Sequence, residues 1–135
     1  PQDPVRISQM TGKDKPATAG SQGFSRAVRL GGNRNYRYVY RKGKSYPSRN
    51  LTLVYCKGRG VRVGFSVSSK VGGAVTRNHI RRILREDVRK MLTGMKAGRY
   101  VFVARPSARN IAHEKLTTEL TGVIRRAGLF REDAP

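Results

Sequence analysis

Four arginines recur at every fourth position of one stretch, and their spacing indicates a chemistry more clearly than any other residues of the chain. They are Arg77, Arg81, Arg85 and Arg89. On a helix they would form one i, i+4 row, in which like charges repel by roughly a few tenths of a kcal/mol per pair. Such a row makes physical sense when a polyanion lies across it. A solvated cationic face is the alternative, and it is disfavoured because Glu86 and Asp87 are the only acids nearby.

The charge of the whole chain favours the same class of partner. The 135 residues include 29 Lys or Arg and 8 Asp or Glu, a formal net charge of +21. From Lys15 to Arg85, both included, there are seventeen basic residues and no acidic one. A compact domain with so continuous an excess repels itself unless a polyanion relieves the charge. Nucleic acid is the expected partner. A membrane is disfavoured, because no apolar run approaches the roughly 18 residues of a spanning helix.

Neither a catalytic nor a metal-binding set of side chains is evident from the spacing. His79 and His113 are far apart, and neither has a Cys or carboxylate at a metal-ligand distance in the sequence. The single Cys56 cannot form an internal disulfide, which is compatible with a reducing cytoplasm. We therefore expect a cytoplasmic protein that binds its partner and has no catalytic or metal-ligating residues of its own.

The arginine row requires a helix, and the pattern before it predicts one directly after a strand. Val63, Phe65 and Val67 alternate with small or polar residues, which is typical of a strand with one apolar face. Paired glycines at 72 and 73 then reverse the chain. Thr76 is the predicted N-cap of the following helix.

Periodicity predicts the remaining elements. They are a first helix over residues 34–42 capped by Asn33, strands over 51–56 and 100–104, and a last helix over 112–127. Residues 45–50 are predicted to be a polar connection. The predicted order is α-β-β-α-β-α, an α+β sandwich in which helices pack on a small mixed sheet.

We expect a single domain over residues 26–130. Residues 1–25 are rich in Pro, Gln, Ser, Thr, Gly and Ala without periodicity, which is typical of a disordered tail. Residues 131–135 are expected to form a short C-terminal tail. Met10 is a candidate natural start, which would make residues 1–9 foreign to the natural protein.

Two tyrosines on the predicted first helix are a second candidate site. Tyr36 and Tyr40 are i, i+4 neighbours with Arg37 and Arg41 beside them. Aromatic residues at this spacing belong to a core more often than to a site. Tyrosine interleaved with arginine is also typical of proteins that stack and hold single-stranded nucleic acid, so both interpretations stay open.

Several segments, in the same order along the chain, resemble the bacterial ribonuclease P protein subunit. The central ones are Phe65-Ser66-Val67-Ser68, Lys70-Val71-Gly72, Arg77-Asn78, Ile80-Arg81-Arg82 and Leu84-Arg85-Glu86. Residues 36–43 resemble the first helix of that family, 104–106 the end of its last strand, and 125–129 its terminal helix. The resemblance covers about residues 29–129. His79 departs from it, because the family usually has an arginine there.

This resemblance implies a specific function and fold. The protein would assist a catalytic RNA in the endonucleolytic removal of the 5′ leader from precursor tRNA, with the active site and its Mg²⁺ in the RNA subunit. One face would dock on that RNA and a cleft would hold the single-stranded leader, with no protein partner required. The family also implies a left-handed β-α-β crossover, although about 98% of such connections are right-handed.

The resemblance also implies which residues carry these contacts. For docking on the RNA subunit it implies Lys70, Arg77, Asn78, Arg81, Arg82, Arg85 and Arg89. For binding the leader of precursor tRNA it implies Tyr36, Arg37, Tyr40, Arg41, Arg49, Ser66 and Ser68, with the two small serines as the floor of the cleft.

Three other functions are alternatives. A ribosomal-type protein, or a general single-stranded RNA-binding protein or chaperone, would share the charge but would not need a cleft for a leader. A sequence-specific DNA-binding domain would place the arginine helix in a major groove. A protein-only nuclease would need clustered carboxylates for its metal ions.

Overall fold

The computed structural model describes residues 28–131, and within them three helices pack on a four-stranded sheet. In chain order the elements are α1 (Asn33–Lys42), β1 (Lys44–Pro47), β2 (Leu51–Cys56), β3 (Val61–Val67), α2 (Ala74–Met91), β4 (Gly98–Ala104) and α3 (His113–Arg126), with 3₁₀ turns at Leu92–Gly94 and Pro106–Asn110. The predicted order of elements is confirmed, and β1 is added within the expected polar connection. The predicted tails, including Met10, lie outside the described residues except for residue 131.

The sheet has the strand order β1-β2-β4-β3 and is mixed, as predicted. β2 pairs antiparallel with both β1 and β4, whereas β3 pairs parallel with β4. Since α2 connects the two parallel strands, the expected β-α-β unit is present, and its hand stays a prediction. β3 is an edge strand, but Leu30 N donates to Val63 O at 3.0 Å and Val63 N donates to Val28 O at 2.8 Å. The segment before α1 therefore covers part of this edge.

The larger core lies between the sheet and the two long helices. Alternation along the strands directs Phe65 and Phe102 to this face, where their rings stack with centroids 6.0 Å apart. Ile80 and Leu84 from α2 and Leu120 from α3 fill the same layer and are buried. Ile80 and Leu84 are four residues apart, so they lie on one face of α2, and that face packs on the sheet.

A smaller core lies on the opposite face of the sheet, under α1. Tyr36 and Val39 pack there against Val54 and Val101 from the central strands. The helix approaches β3 closely, because the Phe65 N–H donates to the Tyr36 hydroxyl at 3.2 Å. A Cβ at residue 64 would overlap that hydroxyl, so glycine at this position allows α1 to sit on the sheet.

Both predicted helix caps are wrong by a few residues. Gly32 precedes α1, with a φ of 81° that favours glycine, and Asn33 is already helical. Gly73 precedes α2, and Thr76 lies inside that helix. Glycine is itself acceptable at an N-cap, so a nearby polar residue was a misleading signal.

Replacing Gly64 with alanine is expected to lower the free energy of unfolding by about 1–3 kcal/mol, because the new methyl group would overlap the buried Tyr36 ring. Urea denaturation of the full chain measures this change. Gly122→Ala is the matched control: no atom lies within 4 Å of a Cβ there. It is a position within α3, where alanine is expected to stabilise by up to about 1 kcal/mol. Equal effects of the two substitutions would contradict the close approach of α1.

Candidate RNA interface

α1 divides its face of the sheet into two strips. The strand register aligns Thr52, Val103 and Ser66 in one row, here called the cleft row. It aligns Cys56, Arg99 and Arg62 in another, here called the flank row. α1 lies between them, over the positions occupied by Val54, Val101 and Gly64. A surface that would otherwise be continuous therefore has a site on each side of the helix.

The cleft row contains only small or apolar side chains. Two of them, Thr52 and Ser66, have hydroxyl groups, and Ser68 follows Ser66 two residues later in the chain. Ser66 is 1% exposed, and its Oγ has no hydrogen-bond partner among the described residues. Ser68 is 9% exposed, and its Oγ accepts a hydrogen bond from Lys70 N at 3.2 Å. Both serines, predicted as the floor of the cleft, are therefore nearly closed to solvent, and their role in binding a leader stays a prediction.

The two tyrosines of α1 have different environments. Tyr36 is fully buried. Burial raises the pKa of its phenol, as does nearby Tyr40, against the opposing effects of the Phe65 N–H and Arg81. The expected stacking of Tyr36 on a base is therefore wrong, and its place is in the core. Tyr40 is half-buried at the edge of the smaller core, so part of its ring remains accessible.

The arginine row of α2 is also divided. Arg77 and Arg81 are each 9% exposed, and Arg81 Nη2 donates to Asn78 Oδ1 at 2.9 Å. Partial burial lowers the pKa of Arg85; Glu86 opposes this, and nearby Arg29 and Arg82 add to it. The prediction that the four arginines form one exposed row is therefore wrong. Of the four arginines in the row, only Arg89 is exposed. The exposed neighbours of the row are Asn78 and Arg82 on α2 and Lys70 in the preceding turn.

The neighbours of this row show where it lies. Arg81 acts electrostatically on Tyr36 of α1, and Arg85 acts on Arg29 in the segment beside β3. Arg81 and Arg85 therefore lie toward the β3 edge of the sheet, Arg81 near α1 and Arg85 near the segment that precedes it.

All acidic residues among residues 28–131 lie on α2 and α3. They are Glu86, Asp87, Glu114 and Glu119. Asp87 is 5% exposed, accepts a hydrogen bond from Thr117 Oγ1 at 2.6 Å, and lies 3.6 Å from His113 Nε2. In this part of the chain no three His, Cys, Asp or Glu side chains lie close enough together to hold a metal ion.

The turn between β1 and β2 is held by an acid that the sequence did not single out. Glu119 Oε2 accepts hydrogen bonds from Ser48 Oγ at 2.5 Å and Asn50 N at 2.6 Å, and Oε1 accepts one from Asn50 Nδ2 at 2.7 Å. Ser107 Oγ donates to Arg49 O at 3.1 Å. The turn is thereby fixed at the end of the sheet nearest the cleft row, with the Arg49 side chain exposed.

The remaining predicted leader contacts, Arg37 and Arg41, are both exposed on α1. Tyr36 faces the sheet, so successive 100° steps place Arg37 toward one side of the helix and Arg41 toward its outer surface. Helical spacing therefore places Arg37, Tyr40 and Arg41 on one flank of α1.

A comparison with known families assigns the chain. A family model described as Ribonuclease P matches residues 24–128. The chain belongs to the ribonuclease P protein family. It is similar to the ribonuclease P protein component of Clostridium botulinum strain Loch Maree, with 41% identity over 102 residues that cover 73% of this chain and 92% of the relative. The component from Finegoldia magna is 40% identical over 106 residues, 77% of this chain and 94% of the relative.

Solved structures agree with this family. The ribonuclease P protein of Staphylococcus aureus aligns with a TM-score of 0.75 and 29% identity, over 78% of this chain and 100% of that one. The ribonuclease P protein of Thermotoga maritima, at 23% identity and a TM-score of 0.67 over 73% of this chain and 96% of that one, shows the same fold. As a ribonuclease P protein component, the chain has its role in tRNA 5′ processing, as a subunit of the holoenzyme that works with an RNA subunit. Within residues 28–131, no helix is long and apolar enough to cross a membrane.

Glu119→Gln is expected to destabilise the protein by about 1–2 kcal/mol at pH 7, because charge-assisted hydrogen bonds are stronger than neutral ones. Partial burial acts to raise the pKa of Glu119, but the hydrogen bonds from Ser48 and Asn50 outweigh it and the pKa is lowered. The contribution is therefore complete above the unfolded-state pKa of about 4.3 and is lost as the pH falls through the lower folded-state pKa.

Thermal unfolding of wild type and Glu119→Gln between pH 7 and acid measures this difference. The two stabilities are expected to converge in acid. Glu86→Gln, an exposed acid of α2, is the control, and its effect is expected to stay within about 0.5 kcal/mol. A constant difference across the whole pH range would show that the Glu119 charge is not what holds the turn.

Proposed function

We propose that the protein binds the 5′ leader of precursor tRNA beside α1 and docks on the RNA subunit through α2. In this proposal, the catalytic centre and its Mg²⁺ belong to the RNA. The observation that carries the proposal is the segregation of charge: within residues 28–131, every acidic residue belongs to α2 or α3, and none belongs to α1, to the strands or to the turns between them.

The leader assignment is supported by the side chains at the cleft row. A half-buried Tyr40 is positioned for stacking with a base, and Arg37, Arg41 and Arg49 are exposed for phosphates. The buried Ser66 hydroxyl, with no partner among the described residues, carries a desolvation cost of about 1–3 kcal/mol. Because Ser66 is 1% exposed, a ribose hydroxyl or phosphate oxygen would offset that cost only if the side chains above it move aside when RNA binds.

The docking assignment is supported by the exposed part of α2. Arg82 and Arg89 are exposed, with Asn78 one turn before Arg82. Such side chains suit phosphate and sugar contacts, which position a protein on RNA without reading its sequence. The buried Arg77 and Arg81 add positive potential at the same edge of the sheet.

The location of the catalytic centre is supported by how the carboxylates of this chain are used. Asp87 is committed to Thr117 and His113, and Glu119 is committed to the β1–β2 turn. These two acids do not form the ligand set that a Mg²⁺ ion requires, which is several oxygen ligands in near-octahedral geometry. The proposed roles of this chain are therefore binding and orientation of RNA.

Cleavage of precursor tRNA by a bacterial ribonuclease P RNA at limiting Mg²⁺, with and without the protein, tests the proposal. We expect stimulation that depends on a leader and no cleavage by the protein alone. Stimulation that is independent of a leader would favour a general RNA-binding protein or chaperone. Cleavage by the protein alone would place the active site in this chain.

Tyr40→Ala is expected to reduce the preference of the holoenzyme for precursor over mature tRNA by about 5- to 150-fold, the worth of one stacked base. The ratio of the two dissociation constants is the measurement, since it does not depend on the fraction of folded protein. Tyr46→Ala, a partly buried tyrosine on the other face of the sheet, is the control. An equal loss of affinity for both RNAs would remove Tyr40 from the leader site.

Arg82→Ala is expected to weaken assembly with the RNA subunit and to lower the slope of log affinity against log salt by about 1, the effect of losing one phosphate contact. Filter binding at several salt concentrations measures both quantities. Lys115→Ala removes an exposed charge from α3 and is expected to leave the slope unchanged. If Arg82→Ala also leaves it unchanged, Arg82 is a solvated residue and the docking face lies elsewhere.

A further inference from the structure

We propose that the flank row and Tyr38 form a second site for single-stranded RNA, which takes the part of a long 5′ leader that extends beyond the cleft. This inference rests on the proposed leader cleft and extends it across α1. Tyr38, Arg99 and Arg62 are its central residues, with Arg59 in the adjoining turn. None of these four belongs to the residues that the family resemblance implies for either RNA contact.

An arginine and an exposed aromatic ring are already paired at this site. The Arg99 guanidinium lies 5.7 Å from the centre of the Tyr38 ring, and Tyr38 is 39% exposed, an unusual value for a large hydrophobic residue of this protein. A Cβ at residue 58 would lie 2.8 Å from Arg99 Nη1, so the β2–β3 turn passes directly against the same guanidinium. Arg99 is therefore held in place by contacts with α1 and with the turn.

The site also carries a charge arrangement that is unfavourable without a polyanion. Arg62 and Arg99 are paired in register on adjacent parallel strands, so their side chains leave the same face. Like charges directly opposite one another destabilise a sheet. Lys57 and Arg59 are exposed in the neighbouring turn, and every acid of the described residues lies on α2 or α3. RNA phosphates would relieve this repulsion.

A continuous basic surface connects the cleft with the flank row. α1 is seated on the sheet through Tyr36, so a strand of RNA leaving the cleft row must cross the outer side of the helix. That side exposes Arg34, Tyr38 and Arg41, with Arg37 on the flank beside them. An RNA strand that crosses α1 therefore meets arginines first and then an aromatic ring, which are the two components of sites for single-stranded nucleic acid.

These features favour a single-stranded leader, rather than a helical segment of the RNA subunit, as the RNA that binds at the second site. An exposed aromatic ring stacks on unpaired bases, whereas recognition of an RNA helix relies on phosphate and 2′-hydroxyl contacts. The site is also continuous with the proposed leader cleft, across one helix of about 10 Å diameter. Double-helical RNA would gain no affinity from the Tyr38 ring.

Leader length is the variable that tests this site. The holoenzyme is assembled from the full chain and a bacterial ribonuclease P RNA. Its affinity is measured for mature tRNA and for precursors with leaders of about 5 and about 15 nucleotides, which lie near the two ends of the range of about 4 to 16 nucleotides that one OB-fold domain occupies on a single strand. The gain from no leader to a short one reports the cleft, and the gain from the short to the long leader reports the second site.

Arg99→Gln and Tyr38→Ala are each expected to reduce the affinity for the long-leader precursor by about 5-fold or more, leaving the short-leader precursor and mature tRNA unchanged. Lys44→Gln is the matched control. The Lys44 ammonium lies 5.7 Å from the Tyr46 ring, the same distance as in the Arg99–Tyr38 pair, but on the other face of the sheet. It is expected to change none of the three affinities.

Three other results would each contradict the second site, and each would do so for a different reason. Wild-type protein that binds long and short leaders equally has no such site, even if the cleft is correct. If Arg99→Gln weakens assembly with the RNA subunit regardless of leader, the flank row contacts that subunit instead. A short leader that adds nothing over mature tRNA overturns the cleft itself. Circular dichroism of each variant confirms that the differences do not arise from misfolding.

Discussion

The seating of α1 on the sheet is the contact on which the whole RNA-facing side depends. A helix of 10 residues has little stability of its own, and this one is held by the burial of Tyr36 and Val39 and by the hydrogen bond from Phe65 to the Tyr36 hydroxyl. Because α1 crosses the strands, it converts one exposed face into a cleft row and a flank row. Glycine at position 64 is what allows this approach, so a single backbone position determines the shape of both strips.

Electrostatics divides the molecule along the same sheet. On the side of α2 and α3, the two acids with structural roles are Asp87, which joins the two helices through Thr117, and Glu119, which fixes the β1–β2 turn. Among the described residues, α1, the strands and the turns between them carry no carboxylate to balance their arginines. Repulsion there is a cost that the isolated protein bears and that bound RNA removes. Folding stability and RNA binding are therefore linked, and RNA should raise the stability of the protein.

Periodicity predicted most of the fold but not the depth at which side chains lie. Alternation at Val63, Phe65 and Val67 identified β3, and its apolar face is the one that packs on α2. The same reasoning placed Arg81 on an exposed row, although it lies at the border between α2, the β3 edge and Tyr36. Helical angles specify direction around one axis, whereas burial depends on what other segments cover. The role of Glu119 has the same origin, since its partners lie 69 to 71 residues away. β1 escaped prediction because it is a four-residue edge strand that ends in proline.

The arginine motif of α2 has buried members and exposed neighbours, and these can contribute to RNA binding in two different ways. Arg81 is fixed by Asn78 and surrounded by protein, where a charge is screened less than in water and its field extends further. Such a residue contributes potential, and hence the rate of encounter with RNA, more than it contributes direct contacts. Exposed Arg82 and Arg89 are available for those contacts and lose side-chain entropy when they form. In the proposed function, the arginine motif therefore acts through its electrostatic field at the buried edge of α2 and through direct contacts at the exposed edge, and the two contributions respond differently to salt.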